Sequence, residues 1–386
     1  MKILFHSNLF PDREQTYRGQ DNANLLHRLS EFAEIRVIAP RPALPFAFPQ
    51  VFAPRDIDIP FDPTFPTYRY IPKWGSAFNH RLLRSAVRKD FIQIVESFKP
   101  DVLLASWSYP DTCGVVPLAK EYGLPVVAIT QGSDVHIHLR MLFRRRLIPQ
   151  ALSVCEAVIT RSNQLGHLLA NAGVPKNKLH TVYNGVDPSI FHLGSPSDAK
   201  DALGLVDDIF YLLYVGNFYP VKNPFLLLRA LAAVRQQFPD RDVQLLMIGE
   251  GALQGRVEST IQELNLAGIV QLLGRKNSSE VAEYMRAADL LCIPSDNEGL
   301  PNVLLEAFAC GLPVVSTDVG GIHEVLREEY LGCLVESRDI LGLSTAIGKR
   351  ISIDPDWEDI ANFASQFSWE QTVQKYQSIL DVALQN

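Results

Sequence analysis

The sequence predicts an α/β protein of two domains, on three observations. Short apolar runs suited to parallel strands buried on both faces recur along the 386 residues, bounded by glycine, proline or polar loops. Segments with helical spacing stand between them, as at Leu25, Leu26 and Leu29. The length suffices for two ordinary domains, and the charge divides with it. Residues 1–190 carry 22 Lys and Arg against 16 Asp and Glu, residues 191–386 carry 14 against 27, and the whole chain is −7.

A hydrophobic content of 47% is that of a folded soluble chain and excludes a disordered class. No stretch approaches the roughly 18 apolar residues that span a bilayer. Met1 to Phe10 reads as a first strand, not a signal peptide. Cys113, Cys155, Cys292, Cys310 and Cys333 are odd in number, widely spaced and set in apolar runs, which suits reduced core residues of a cytoplasmic protein. The negative total argues against nucleic acid as a partner, while the basic first half suits an anionic partner or membrane surface.

In order, Lys2–His6 reads as a strand, residues 21–32 as a helix and residues 34–39 as the next strand. The loop between carries one glycine, Gly19, and no G-x-G-x-x-G, so this βαβ opening is no evidence for a dinucleotide. Residues 40–72 are rich in Pro, Phe and Asp without periodicity and read as an excursion holding one short strand. Residues 76–98 form a basic amphipathic helix with Arg81, Arg84, Arg88 and Lys89 beside Leu82, Leu83, Ala86 and Val87. A second cluster, Arg140, Arg144, Arg145 and Arg146, precedes Leu147 and Ile148; such clusters can bind anionic headgroups at the membrane's inner face. Strands at 101–106 and 125–130 flank a helix over 112–122. A strand at 157–160 leads into a helix capped by Ser162, and Asn184-Gly185 marks a turn.

The second half opens with a small polar linker at 194–199 and a strand at 209–215. Gly216 and Asn217 follow, and then a helix that Asn223 would cap, with Pro224 in its first position. Lys222 precedes that cap, placed to reach phosphate oxygens. Strand 243–248 enters a helix through Gly249, Gly251 and Gly255, but the next strand, 269–273, lacks the acidic end a nicotinamide site needs. A final helix covers 369–384.

The rest of the chain serves DLLCIPSDNEGLPNVLLEAFACGLPVVSTDVGG, from Asp289 to Gly321. Leu290–Ile293 is a buried strand, residues 294–300 a polar loop, and a helix follows with Pro301 suited to its first position and Gly311 just past its end. Val303, Leu304, Ala307 and Phe308 form its core stripe, and Asn302 and Glu306, four apart, share one flank. A helix start above a parallel strand offers unpaired N–H groups and partial positive charge, a seat for a diphosphate. A carboxylate accepts two hydroxyls well, so Glu298 suits a transferred sugar and Glu306 a ribose.

Glu298 and Glu306, with GLPNVLLEAFACGLPVV around them, resemble the glutamate pair of the retaining GT-B glycosyltransferases of family 4, glycosyl transferases group 1. The likeness is strongest over residues 214–326. It implies two doubly wound Rossmann-like α/β domains facing across a cleft, an acceptor-side domain over 1–190, a nucleotide-sugar domain over 191–365, and a helix over 366–386 crossing back. It implies donor contacts at Gly19, Gly216, Asn217, Lys222, Gly249, Arg275, Glu298, Gly299, Leu300, Asn302, Val303 and Glu306, with Glu298, Lys222 and Asp134 at the reacting centre. Gly320, Gly321 and Glu324 resemble the loop closing the site. Two positions depart from the pattern: Gln131 stands where a His is commonest, leaving His136 as a stand-in, and Asn217 stands where an Arg would share the diphosphate with Lys222.

The chain is read as offering no D-x-D metal motif, so no metal is implied and Lys222 and helix N–H groups would neutralise the leaving diphosphate. The implied activity is transfer from a nucleoside-diphosphate sugar, a UDP-sugar foremost, to a lipid-linked or saccharide acceptor in cell-surface polysaccharide or glycolipid synthesis, without a separate cofactor. The alternatives are a catalytically silent nucleotide-sugar-binding subunit and a GT-B phosphorylase or epimerase.

Overall fold

The computed structural model describes residues 1–44 and 61–385. They divide into two compact units, one holding Met1–Tyr183 and the chain from Thr372 onward, the other Asn184–Gln371. Each is built on a parallel sheet whose strands are apolar on both faces because helices cover both.

The first unit's seven-stranded sheet runs Pro63–Thr64, Glu34–Ile38, Lys2–His6, Val102–Ser106, Val126–Thr130, Ala157–Thr160, Leu179–Thr181. The chain starts in Lys2–His6, builds one way, then returns to the other side of that strand through Val102–Ser106. The second unit repeats the device with six strands, ordered Val270–Gly274, Val243–Ile248, Phe210–Val215, Leu290–Ile293, Val314–Thr317, Gly332–Val335. Its order reverses between Phe210–Val215 and Leu290–Ile293, which pair through Leu212 with Leu290 and Leu213 with Leu291. At such a reversal the loops beyond the two strand ends diverge to opposite faces and leave a crevice, where α/β sheets bind ligands.

Most predicted elements form within a residue or two of their expected ends, with informative departures. Residues 40–72 hold three short strands among those described, Arg41–Ala43, Pro63–Thr64 and Thr67–Arg69; residues 45–60 of that excursion lie outside the description. The expected linker at 194–199 is the start of a helix, Pro196–Leu203, with the Ser195 side chain accepting from the Asp198 N–H. Its small polar residues are a cap and a first turn. The basic helix starts at Asn79, after a 3₁₀ turn over Lys73–Phe78, and buries Leu83, Val87 and Phe91.

The helix after Glu298 spans Asn302–Ala309 with Pro301 at its cap, and Gly311 closes it at φ +80°. Its buried residues are Leu304, Leu305, Ala307 and Phe308; Val303 is only half-buried. Leu305 is covered because the helix packs against Ser278–Ala287 and Trp357–Ala364 as well as the sheet, with Phe363 edge-on to Phe308 at 5.9 Å. The closing helix is Trp369–Gln385, with Tyr376 and Leu380 fully buried in the first unit.

Candidate functional site

In the second unit the loops leaving the two strands at the reversal are tied together. Residues 220–222 form a 3₁₀ turn, after which Asn223 is left-handed (φ 43°). Asn223 is therefore not the side-chain cap the sequence suggests: its Nδ2 donates to Asp296 Oδ1 at 2.9 Å, and the Asp296 N–H donates to the Val221 carbonyl at 2.8 Å. These bonds bring Lys222 to Glu298. Lys222 Nζ donates to Glu298 Oε1 at 2.7 Å, and Ser295 Oγ donates to the same oxygen at 2.6 Å.

The neighbouring loops need their glycines. A Cβ on Gly249 (φ +139°) would lie 2.0 Å from the Gly216 carbonyl oxygen, and one on Gly320 (φ +62°) 2.2 Å from that of Glu298. Residues 216–218 and 249–251 thus run in main-chain contact, with the Phe218 N–H donating to the Glu250 carbonyl at 2.9 Å, and the Gly321 N–H donates to Gly299. Arg275 Nε is 3.9 Å from Glu250 Oε2, an exposed pair worth little. Asn217 is exposed, Gly299 buried, and Leu300, Asn302 and Glu306 half-buried. Asn302 Oδ1 accepts from Asn184 Nδ2 at 2.8 Å, so the turn after the first unit is fastened to the first turn of the site helix.

In the first unit Gly19 caps helix Gln20–Leu29 at φ +64°, and a Cβ there would strike Leu9 at 2.2 Å. Its close approach is to its own loop. Gln131 Nε2 donates to Asn22 Oδ1 at 3.1 Å and to Ser106 Oγ at 3.0 Å, and Arg161 Nε donates to Gln131 Oε1 at 3.3 Å. This polar knot at the strand ends, with Asn22, Ser106 and Arg161 all buried, holds the amide where the family's histidine would stand. His136 ends the short helix Ser133–His136 and is half-buried.

Asp134 is the third residue that the resemblance puts at the reacting centre. It is wholly buried: Oδ2 accepts the Ser108 N–H at 2.8 Å, and Oδ1 accepts those of Gln131 and Gly132, both at 2.9 Å. Burial pushes its carboxyl up despite these bonds, and its work is to shape the loop that carries Gln131.

Sequence reasoning missed Ser295, Asp296, Asn22, Ser106 and Arg161. The first two stand directly after a buried strand, a signal available only once the strand order is known. The reading of no D-x-D motif is corrected: such triplets do occur, at 56–58, 240–242 and 354–356. The first lies outside the described residues, and the aspartates of the other two are exposed. Among the described residues no group of three His, Cys, Asp or Glu is placed to hold a metal.

Residues 197–367 match the family model for glycosyl transferases group 1, and residues 22–190 that for glycosyltransferase family 4. An uncharacterised glycosyltransferase of Methanocaldococcus jannaschii is 30% identical over 288 residues, covering 72% of this chain and 75% of that one. A D-inositol 3-phosphate glycosyltransferase of Saccharomonospora viridis is 28% identical over 342 residues, covering 84% and 78%. Among solved structures, Anabaena HepE in complex with UDP superposes with a TM-score of 0.77 at 20% identity, covering 99% of this chain and 100% of that one, a likeness of fold.

Proposed function

Since the chain belongs to the family 4, group 1 glycosyltransferases of GT-B fold, we propose that it moves a sugar from a nucleoside-diphosphate sugar to a hydroxyl acceptor with retention of configuration. The observation that carries this reading is the Lys222–Glu298 pair at the strand-order reversal, one residue suited to phosphate and the other to sugar hydroxyls.

In this reading the donor diphosphate draws the Lys222 ammonium from Glu298 and lies against the opening turn of helix Asn302–Ala309. The freed carboxylate accepts two hydroxyls of the transferred sugar, and Glu306 accepts the ribose. The bond from the anomeric carbon to the diphosphate oxygen breaks as the acceptor oxygen bonds that carbon from the same face. The departing phosphate oxygen takes the acceptor's proton. Stabilisation falls on the leaving group's charge, through Lys222 and helix N–H groups, with no metal invoked.

A uridine donor is supported by HepE structures described with UDP and with UDP-glucose. The acceptor is proposed to be lipid-linked or a saccharide. Thermal-shift measurements against UDP-, GDP- and ADP-sugars test the reading. A rise with the UDP-sugar followed by transfer supports it, a rise without transfer or hydrolysis points to a silent binding subunit, and no rise with any overturns it.

A further inference from the structure

We propose that Ser295 is a positioning residue for Glu298 and thereby sets which sugar the site accepts, an inference that rests on the donor reading above. Glu298 Oε1 accepts from two donors, Lys222 Nζ at 2.7 Å and Ser295 Oγ at 2.6 Å, while among the described residues Oε2 accepts from none. The two donors differ in kind. An ammonium on a flexible stem is a point charge with rotatable donors, so it leaves the plane of its carboxylate partner undefined, and it is the group that a diphosphate draws off. The serine hydroxyl is neutral and stays.

The torsion that turns a glutamate's carboxylate about its last carbon–carbon bond is broad, so charge alone does not fix it. Ser295 fixes it because its own frame is rigid. It stands two residues beyond strand Leu290–Ile293, is 1% exposed, and its carbonyl accepts from Thr317 Oγ1 at 2.6 Å. Thr317 is fully buried at the end of strand Val314–Thr317, which pairs with Leu290–Ile293 through Ile293 and Ser316. A chain of bonds therefore runs from the sheet through Thr317 and Ser295 to the carboxylate, and no link of it is Lys222.

Once the ammonium has gone to the diphosphate, Oε2 and the remaining lone pair of Oε1 are left for the sugar. A carboxylate whose plane is set accepts two hydroxyls only where their spacing and direction match it. An epimer that carries one of them on the opposite face of its ring leaves that hydrogen bond unmade, and a polar group left unpaired in a half-buried site is costly. The two partners of one oxygen thus have separate duties: Lys222 is exchanged for phosphate, and Ser295 holds the carboxylate for the sugar.

Isothermal calorimetry of the full chain with UDP, UDP-glucose and UDP-galactose tests this. Wild type should bind one of the two epimers more tightly than the other. Ser295→Ala should bind UDP as wild type does, lose about tenfold in affinity for the preferred epimer, the worth of one hydrogen bond to a charged group, and narrow the ratio between the epimers by a similar factor. Thr317→Val, which keeps the shape and removes the hydroxyl, should give the same pattern in weaker form, and Thr317→Ser, which keeps the hydroxyl, should reverse it. Lys222→Ala should do the opposite and weaken UDP itself. Should Ser295→Ala fail to fold, the two Thr317 variants decide alone. The serine's role is overturned if wild type does not distinguish the epimers, if Ser295→Ala weakens UDP and both sugar nucleotides alike, or if it discriminates as wild type does; in each of these cases the donor reading stands. If wild type binds none of the three, the uridine donor falls, and this inference with it.

Discussion

Lys222 and Glu298 stand on loops 76 residues apart, yet the ammonium and carboxylate meet at 2.7 Å, and the Ser295 hydroxyl bonds the same carboxylate oxygen. The pair keeps a cation and a carboxylate half-buried and oriented, so in the proposed reaction a donor would exchange one partner for another without first ordering a long side chain.

Lys222→Ala should cut kcat by about 10²-fold or more, as loss of a partner to developing charge does. Steady-state kinetics with the donor found by thermal shift measures it. Full turnover in the variant would remove Lys222 from the reaction.

Glu306→Gln should weaken nucleotide binding by about tenfold, since a hydrogen bond to a charged acceptor is worth about 1.5 kcal/mol or more. Isothermal calorimetry with the nucleoside diphosphate alone reads this directly. Unchanged affinity would end the ribose assignment.

Gly320→Ala places a Cβ 2.2 Å from the Glu298 carbonyl oxygen at a φ of +62°. The loop carrying Glu298 must move, so stability should fall by about 2–4 kcal/mol and donor affinity with it. Urea unfolding beside calorimetry checks both; a variant as stable as wild type would show that the loop yields freely.

Asp134→Ala leaves three buried N–H groups without their acceptor, which should cost about 3 kcal/mol or more. A variant with unchanged unfolding midpoint and no turnover would instead make Asp134 a reacting group.

Burial holds His6 down to about 3 and His80 and His138 down to about 4, with Arg81 and Arg84 adding to the effect at His80 and Arg144 at His138. The unfolded chain therefore takes up these protons first, near the ordinary value of 6.5, and stability falls as pH drops below it. Asp111 works the other way: burial raises it to about 7, so the folded chain holds its proton and offsets one histidine between roughly pH 4 and 7. The 3.9 Å between His6 Nδ1 and Asp111 Oδ1 is then a contact of two groups that burial drives toward their neutral forms. Melting temperature should decline from pH 7 to 5, and more steeply in Asp111→Asn. A flat profile would contradict the burial argument.

Residues 289–321 were legible because everything there is local: an apolar run of strand length, a glycine-bearing loop, a helical stripe and Gly311 at φ +80° to close it. Lys222 and Glu298 could be singled out as chemistry, but not as a pair. Leu305 lies outside the expected stripe yet is buried because two distant helices cover it, Arg144 looked like a surface cation until Tyr109 took it in, and Ser195-Pro196 looked like a linker although it caps a helix.

By itself the sequence determined the alternation of strand and helix, the glycines at tight turns and the residue types able to hold phosphate and sugar. Those follow from periodicity and backbone sterics between neighbours along the chain. Only the tertiary structure decided that the loops after Val215 and Ile293 lie side by side, that Glu298 meets Lys222, and that Asp134 is sealed inside its own loop. Those depend on strand order and on burial by distant segments, which a pattern of adjacent residues does not encode.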